Sequence, residues 1–395
     1  MKKGIFKGED SEKEDPPGTD VDNNECLKEN NINNNSTVIT AVSKPLPKKS
    51  ITTVEQLSKF IDFDSTTQKA LNEIVKKYHM LITPYYFSLI KDLKDENDPI
   101  RKQCVPMIEE LFYNSAEKID PLGEKATSVT NILVHRYPDR VLLISTSRCF
   151  MYCRHCTRKR LWQNNNVEPT LAEIRSSLDY VRKNESIREI IISGGDPLTL
   201  DPERLDWILE EASSIAHIQC IRIGTRTPVV FPERITKSLC RILSKYNKLW
   251  INIQFNHPRE ITPESTEACR MLQKCAIPLS NQTVLLKGIN DSVAVMKELC
   301  QKLQAIRVRP YYIFQCDEVV GASHFRTSIF KGIEIIENMR GHTSGMCIPK
   351  FVVDGPNGKG KVPLDPQYML SMTPQKVILR NYNNEVFEYF NPQSD

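Results

Sequence analysis

Residues 141–156 read VLLISTSRCFMYCRHC: a β-branched apolar run, Val141 to Ser145, followed by three cysteines on one short loop. The run is the first of six. EIIIS (189–193), IQCIRI (218–223), WINIQ (250–254), QTVLL (282–286) and VRPYYIF (308–314) follow, and helix-like segments near 170–183, 202–214, 231–245, 262–275 and 291–304 separate them. A further helical segment, near 326–340, comes after the sixth run. Strand–helix alternation of this kind predicts a parallel sheet with right-handed crossovers. Six units fall short of a closed eight-stranded barrel, so the expected fold is α/β, a partial (β/α)6 TIM-like barrel. Such folds build their sites at the C-terminal ends of the strands, where the cysteine loop and the other motifs stand.

Outward from this stretch the chain changes character. Residues 1–50 are rich in Asn, Glu, Lys, Asp and Pro, with ENNINNNST at 29–37, and read as a disordered tail. Residues 51–140 read as a helical region, with apolar residues at 3–4 spacing through VEQLSKFI and LNEIVKKYHML and a mixed stretch from 94 onward. The barrel spans 141–345. Residues 346–395 form a C-terminal segment with two more β-like runs, FVVDG and KVILRN.

Net charge is +4 over 395 residues and the basic residues form no stripe, which argues against a nucleic-acid partner. The N-terminus lacks an apolar signal region and no apolar run approaches the ~20 residues of a membrane span, so a cytoplasmic, membrane-free protein is expected. There twelve cysteines favour metal binding or burial over disulfides. Cys220, Cys240, Cys275 and Cys300 lie in apolar patterns, where cysteine acts as a small hydrophobe.

Cys149, Cys153 and Cys156 have the spacing C-x3-C-x2-C. Three thiolates can hold three irons of a [4Fe–4S] cubane and leave the fourth iron open to a ligand; the alternative is a zinc site, which usually takes four protein ligands. Ser193-Gly194-Gly195-Asp196 ends the second run. Its glycines permit close backbone approach and its acid can accept from an ammonium, although an ordinary turn has the same composition. In FVVDGPNGKGKVP (351–363) a lysine on a Gly-rich loop can form a Schiff base, bind phosphate or be merely solvated. Arg136, Tyr137 and Arg140, in HRYPDR, can clamp a phosphate or form a solvated basic turn.

Together STSRCFMYCRHCTRKR, ISGGDPLTL, GTRTPVV, FNHPREIT, NQTVLLKGIND, VRPYYIFQCD, HFRT and GHTSGMCIPKFVVDGP resemble the lysine 2,3-aminomutase family, from about residue 80 to 392. The resemblance implies a radical S-adenosylmethionine enzyme that also uses pyridoxal 5′-phosphate and shifts the α-amino group of L-lysine to the β-carbon. It implies a [4Fe–4S] cluster on the three cysteines, and S-adenosylmethionine contacts from His155, Ser193, Gly194, Gly195, Asp196 and Gln282. It places Arg136, Tyr137 and Arg140 at the cofactor phosphate and makes Lys361 the Schiff-base lysine, with Lys359 as the rival. Arg158 would bind the substrate carboxylate, and Asp317 and Asp354 its distal ammonium. A reducing partner such as flavodoxin or ferredoxin and a homo-oligomeric assembly are implied too. Relatives that serve elongation factor P modification, or that act on another amino acid such as glutamate, are the alternatives.

Two positions depart from the family pattern. Ser292 stands where longer relatives have a zinc-binding cysteine, and their C-x-C-x2-C tail does not follow VILRNYNNEVFEYFNP, so the structural zinc of those relatives is not expected here. Gln254 stands where relatives often have His, next to the expected S-adenosylmethionine site.

Overall fold

Each of the six apolar runs forms a strand in the computed structural model, which describes residues 46–112, 115–162 and 168–392. The strands are β1 (Ser128–Thr130), β2 (Leu133–Tyr137), β3 (Arg140–Thr146), β4 (Glu189–Gly194), β5 (Cys220–Thr225), β6 (Leu249–Ile253), β7 (Leu279–Leu285), β8 (Arg309–Gln315), β9 (Lys350–Gly355) and β10 (Gly360–Pro363). They form one sheet in chain order. Strands β3 to β9 are parallel, and antiparallel pairs close the two ends, β1–β2–β3 on one side and β9–β10 on the other. The sheet stays open, as six or seven parallel strands require. The seventh parallel strand, β9, is the FVVDG run of the C-terminal segment, so that segment extends the barrel sheet.

Among the described residues the helices α1 (Val54–Leu57), α2 (Ser65–Lys77), α3 (Pro84–Ser88) and α4 (Arg101–Cys104) precede the sheet. The crossovers are α5 (Leu171–Arg182), α6 (Pro202–Ser213), α7 (Thr227–Val230) with α8 (Lys237–Leu243), α9 (Pro263–Lys274), α10 (Val293–Ala305) and α11 (Ile329–Met339). Local chemistry sets their starts. Thr170 and Glu173 form a capping box on α5, and Pro202 and Pro263 occupy first-turn positions where no N–H is needed. Ser292 caps α10 by accepting from the Val295 amide, which accounts for a hydroxyl at that position.

Period-two alternation gives the sheet two unlike faces. Ile190, Ile192, Ile221, Ile223 and Ile251 are fully buried and share one apolar core with Ile174 and Leu178 of α5 and Leu205 and Ile208 of α6. Their neighbours Ile191, Ser193, Arg222, Gly224 and Asn252 face a cavity instead. Burying roughly 1.5–3 kcal/mol of apolar side chain per isoleucine fixes the register of the strands, so the polar set is held where it is. Cys240 and Cys300 are buried in this core, while Cys220 and Cys275 are half-buried.

A second sheet, β11 (Met369–Met372), β12 (Lys376–Arg380) and β13 (Val386–Phe390), is antiparallel. Residues 1–45, most of the expected disordered tail, lie outside the described residues. Among the described residues no helix is long and apolar enough to cross a membrane.

Candidate active site

A cavity of about 570 Å³ lies on the polar face of the parallel sheet, and the cysteine, SGGD, HRYPDR and Lys361 motifs all reach it. Cys149, Cys153, His155, Cys156 and Arg158 come from the loop after β3. Ser193, Gly194, Gly195 and Asp196 come from the end of β4, and Gln282 from β7. Arg136, Tyr137 and Arg140 come from the β2–β3 turn, Asp317 from the end of β8, and Asp354 and Lys361 from β9 and β10. The rival Lys359 is exposed and does not line the cavity.

The cysteine loop is pinned at two points, within it and just after it, by one carboxylate. Glu110 accepts from Arg154 Nε at 2.8 Å, Arg154 Nη2 at 2.7 Å and Lys159 Nζ at 3.0 Å, all fully or nearly fully buried. Burial works against the Glu110 charge, yet Arg154 and Lys159 hold its carboxyl down at about 2. Among the described residues no three His, Cys, Asp or Glu side chains close around a single metal ion, as a mononuclear zinc would require. A cubane makes no such demand, since each thiolate takes a different iron. Buried Ser147 Oγ and His155 Nδ1, both on this loop, have no hydrogen-bond partner, so polar capacity is left for a bound group. His155 Nε2 meets the side-chain amides of Gln254 at 3.1 Å and Asn256 at 3.3 Å.

The glycines after β4 are steric necessities. A Cβ on Gly194, whose φ is +115°, would lie 2.4 Å from Thr146 O, and one on Gly195 2.2 Å from Arg148 O. The turn therefore presses against the start of the cysteine loop, with the Gly195 and Asp196 amides donating to Thr146 O at 2.7 Å and Arg148 O at 2.8 Å. Asp196 is buried, and its carboxylate already accepts from Thr225 Oγ1 and from the Leu198, Arg226 and Thr227 amides. It ties β4 to the loop after β5.

At the other end of the cavity, Arg140 stacks on the Tyr137 ring at 4.0 Å, and buried Arg136 Nε has no partner. The Tyr137 hydroxyl accepts from the Lys361 amide at 2.9 Å. Lys361 and Asp354 are direct cross-strand partners, and Lys361 Nζ lies 3.1 Å from Asp354 Oδ1 and 5.2 Å from the Phe314 ring centroid. An amine, a phenol and an orphaned guanidinium N–H on one wall suit an aldehyde cofactor with a phosphate.

Glu124 was not legible in the sequence, and it holds Arg158 in place at the cavity. It accepts from Arg158 Nε at 3.0 Å and Nη2 at 2.7 Å, and from Arg160 Nη2 at 2.6 Å. Burial opposes its charge, but the two arginines keep its carboxyl at about 2. Arg158 Nη1 is left facing Ser193 Oγ at 3.4 Å, inside the cavity. Burial, with Asp354 nearby, pushes Asp317 up to about 6, against the pull of Thr157, Lys361 and Arg158.

The profile of the radical SAM superfamily matches residues 143–300, and that described as lysine-2,3-aminomutase matches residues 336–395. The chain is 50% identical to L-lysine 2,3-aminomutase of Clostridium subterminale over 342 residues, 87% of this chain and 82% of that one. It is 48% identical to the L-lysine 2,3-aminomutase of Fusobacterium nucleatum over 347 residues, 88% of this chain and 81% of that one. Glutamate 2,3-aminomutase of Clostridioides difficile is 45% identical over 338 residues, 86% of this chain and 80% of that one. With about half the residues identical across most of both chains, this chain belongs to the lysine 2,3-aminomutase family of radical S-adenosylmethionine enzymes.

Proposed function

We propose that this chain is an L-lysine 2,3-aminomutase, interconverting L-lysine and β-lysine by moving the amino group between Cα and Cβ. Members of this family use a [4Fe–4S] cluster, S-adenosylmethionine and pyridoxal phosphate, which supply an adenosyl radical and an imine that delocalises the unpaired electron. Cys149, Cys153 and Cys156 would hold the cluster. The backbone of Ser193–Gly195, with His155 and Gln282, would hold S-adenosylmethionine, while Asp196 fixes that turn. Arg136, Tyr137 and Arg140 would hold the phosphate and Lys361 the cofactor aldehyde. The Nη1 of Arg158, steadied by Glu124, would pair with the substrate carboxylate. A low-potential donor of the flavodoxin or ferredoxin kind, a homo-oligomeric state and a cytoplasmic setting, which keeps thiols reduced, complete the reading.

The observation that carries lysine as substrate is the acid pair. Asp317 and Asp354 line the same cavity as Lys361 and Arg158, so two carboxylates face the space a bound amino acid would fill. A distal ammonium is attracted there, and the second carboxylate of glutamate is repelled. In a site of intermediate dielectric that reversal is worth several kcal/mol, so discrimination of at least about a hundredfold is expected. Anaerobic turnover of reconstituted protein with each amino acid, with product identification, tests this. Glutamate consumed as readily as lysine would remove the assignment.

A further inference from the structure

Arg226 follows β5 in the GTRTP motif and is 7% exposed. Its Nη1 donates to Cys153 Sγ at 2.9 Å. The rest of the guanidinium is fixed. Nη2 donates to Glu260 Oε1 at 2.6 Å, Gln103 Oε1 at 2.5 Å and Tyr86 Oη at 3.2 Å, and Nε to Gln254 O at 3.2 Å. Its backbone amide is held by Asp196 Oδ2 at 2.8 Å. By contrast, Cys156 Sγ receives a neutral backbone N–H, that of Arg158, at 3.4 Å.

We propose that Arg226 is a positioning residue that tunes the cluster, raising its reduction potential through a charged hydrogen bond to the Cys153 thiolate. The proposal rests on the cluster being held by the cysteine triplet. Reduction adds one electron, from the low-potential donor, and hence one negative charge beside the thiolates. A buried cation with an N–H on sulfur favours that state, and hydrogen bonds to sulfur are an established lever on cluster potential. Glu260 does not cancel the effect. It pairs with Nη2 while the sulfur takes Nη1, and its charge is shared with the Tyr86 hydroxyl and the Asn256 and His257 amides. The pair is a dipole whose positive end points at sulfur. The same geometry makes Asp196 an indirect contributor, because it fixes the backbone from which Arg226 reaches.

The test is an EPR-monitored potentiometric titration of reconstituted protein without S-adenosylmethionine. Arg226→Gln should shift the midpoint negative by at least a tenfold loss in the reduction equilibrium constant, ~59 mV for one electron. Arg226→Lys should lose part of that. Glu260→Gln, which removes the counter-charge and keeps the arginine, should shift it positive. A variant with full iron content and the wild-type midpoint would overturn the proposal, even if it binds S-adenosylmethionine poorly, since Arg226 would then be a cofactor contact. Wild-type protein carrying guanidino-¹⁵N arginine gives a test without substitution: pulsed EPR of the reduced cluster should show a weak ¹⁵N coupling, and its absence would equally overturn it. Failure of the wild type to load iron is a separate outcome, which sinks the cluster reading itself.

Discussion

Asp317 is where burial and function conflict most directly. Its carboxyl titrates at about 6 against an ordinary 3.8, first because of desolvation and then because Asp354 is close. On the proposed reading lysine binding needs it charged, so kcat/KM for lysine should fall as pH drops through about 6, and Asp317→Asn should abolish that limb along with most of the activity. The same shift has a stability consequence. The folded state binds this proton more tightly than the unfolded chain between 3.8 and 6, so stability falls as pH rises through that window and the full cost is present above it. Asp317→Asn should therefore stabilise the protein above pH 6, on the order of 2 kcal/mol, and gain little near pH 3. Thermal melts of both proteins at the two pH values check this, and equal gains at both would show that the charge is not the cause. Lys361 offers a second check at this scale. Borohydride reduction of the pyridoxal-loaded protein, followed by peptide mapping, should label Lys361; label on Lys359 would move the cofactor off the cavity wall.

At the level of elements, the β9–β10 hairpin and the cysteine loop differ in how far the sequence exposes them. The six β-branched runs were legible because a strand is a local pattern, and the motifs at their ends were legible because the fold puts strand ends together. In the 351–363 loop the glycines were visible, but the register was not. It comes from a turn with positive φ at Asn357 and Gly358, which sets Lys361 opposite Asp354. Glu110 and Glu124 were invisible for another reason. Their partners Arg154 and Arg158 are 44 and 34 residues away, and the stretch around 94–140 has no period to place them. Glu110→Gln should be costly because Arg154 and Lys159 would remain buried with no counter-charge. Loss of one partner from such a cluster typically removes 3–5 kcal/mol. Denaturant unfolding should show that loss, and the iron-to-protein ratio should fall because the cysteine loop is released at Arg154 and Lys159. A full iron load at unchanged stability would mean the loop is held by its packing alone.

Across the whole molecule, the large sheet is covered on one face by helices, whereas among the described residues the outer strands of the second sheet, β11 and β13, are exposed. In β11, β12 and β13 the pairs Met369–Leu379–Phe387 and Met372–Val377–Tyr389 place six apolar side chains in two rows on one face. Four of the six are strongly exposed: Met369 at 50%, Met372 at 64%, Phe387 at 44% and Tyr389 at 60%. A three-stranded sheet gains its stability from a buried apolar face, and contiguous exposed apolar surface of this kind marks an interaction site. A second copy of the chain is the occupant that accords with the homo-oligomer proposed above. Light scattering after size exclusion should then report a dimer or larger. The double substitution Phe387→Lys and Tyr389→Glu should shift it to monomer while leaving the far-ultraviolet spectrum and the iron content unchanged, since neither residue lines the active cavity. A wild-type protein that stays monomeric at micromolar concentration would assign this face to a different partner, and a double variant that remains oligomeric would place the interface elsewhere on the molecule.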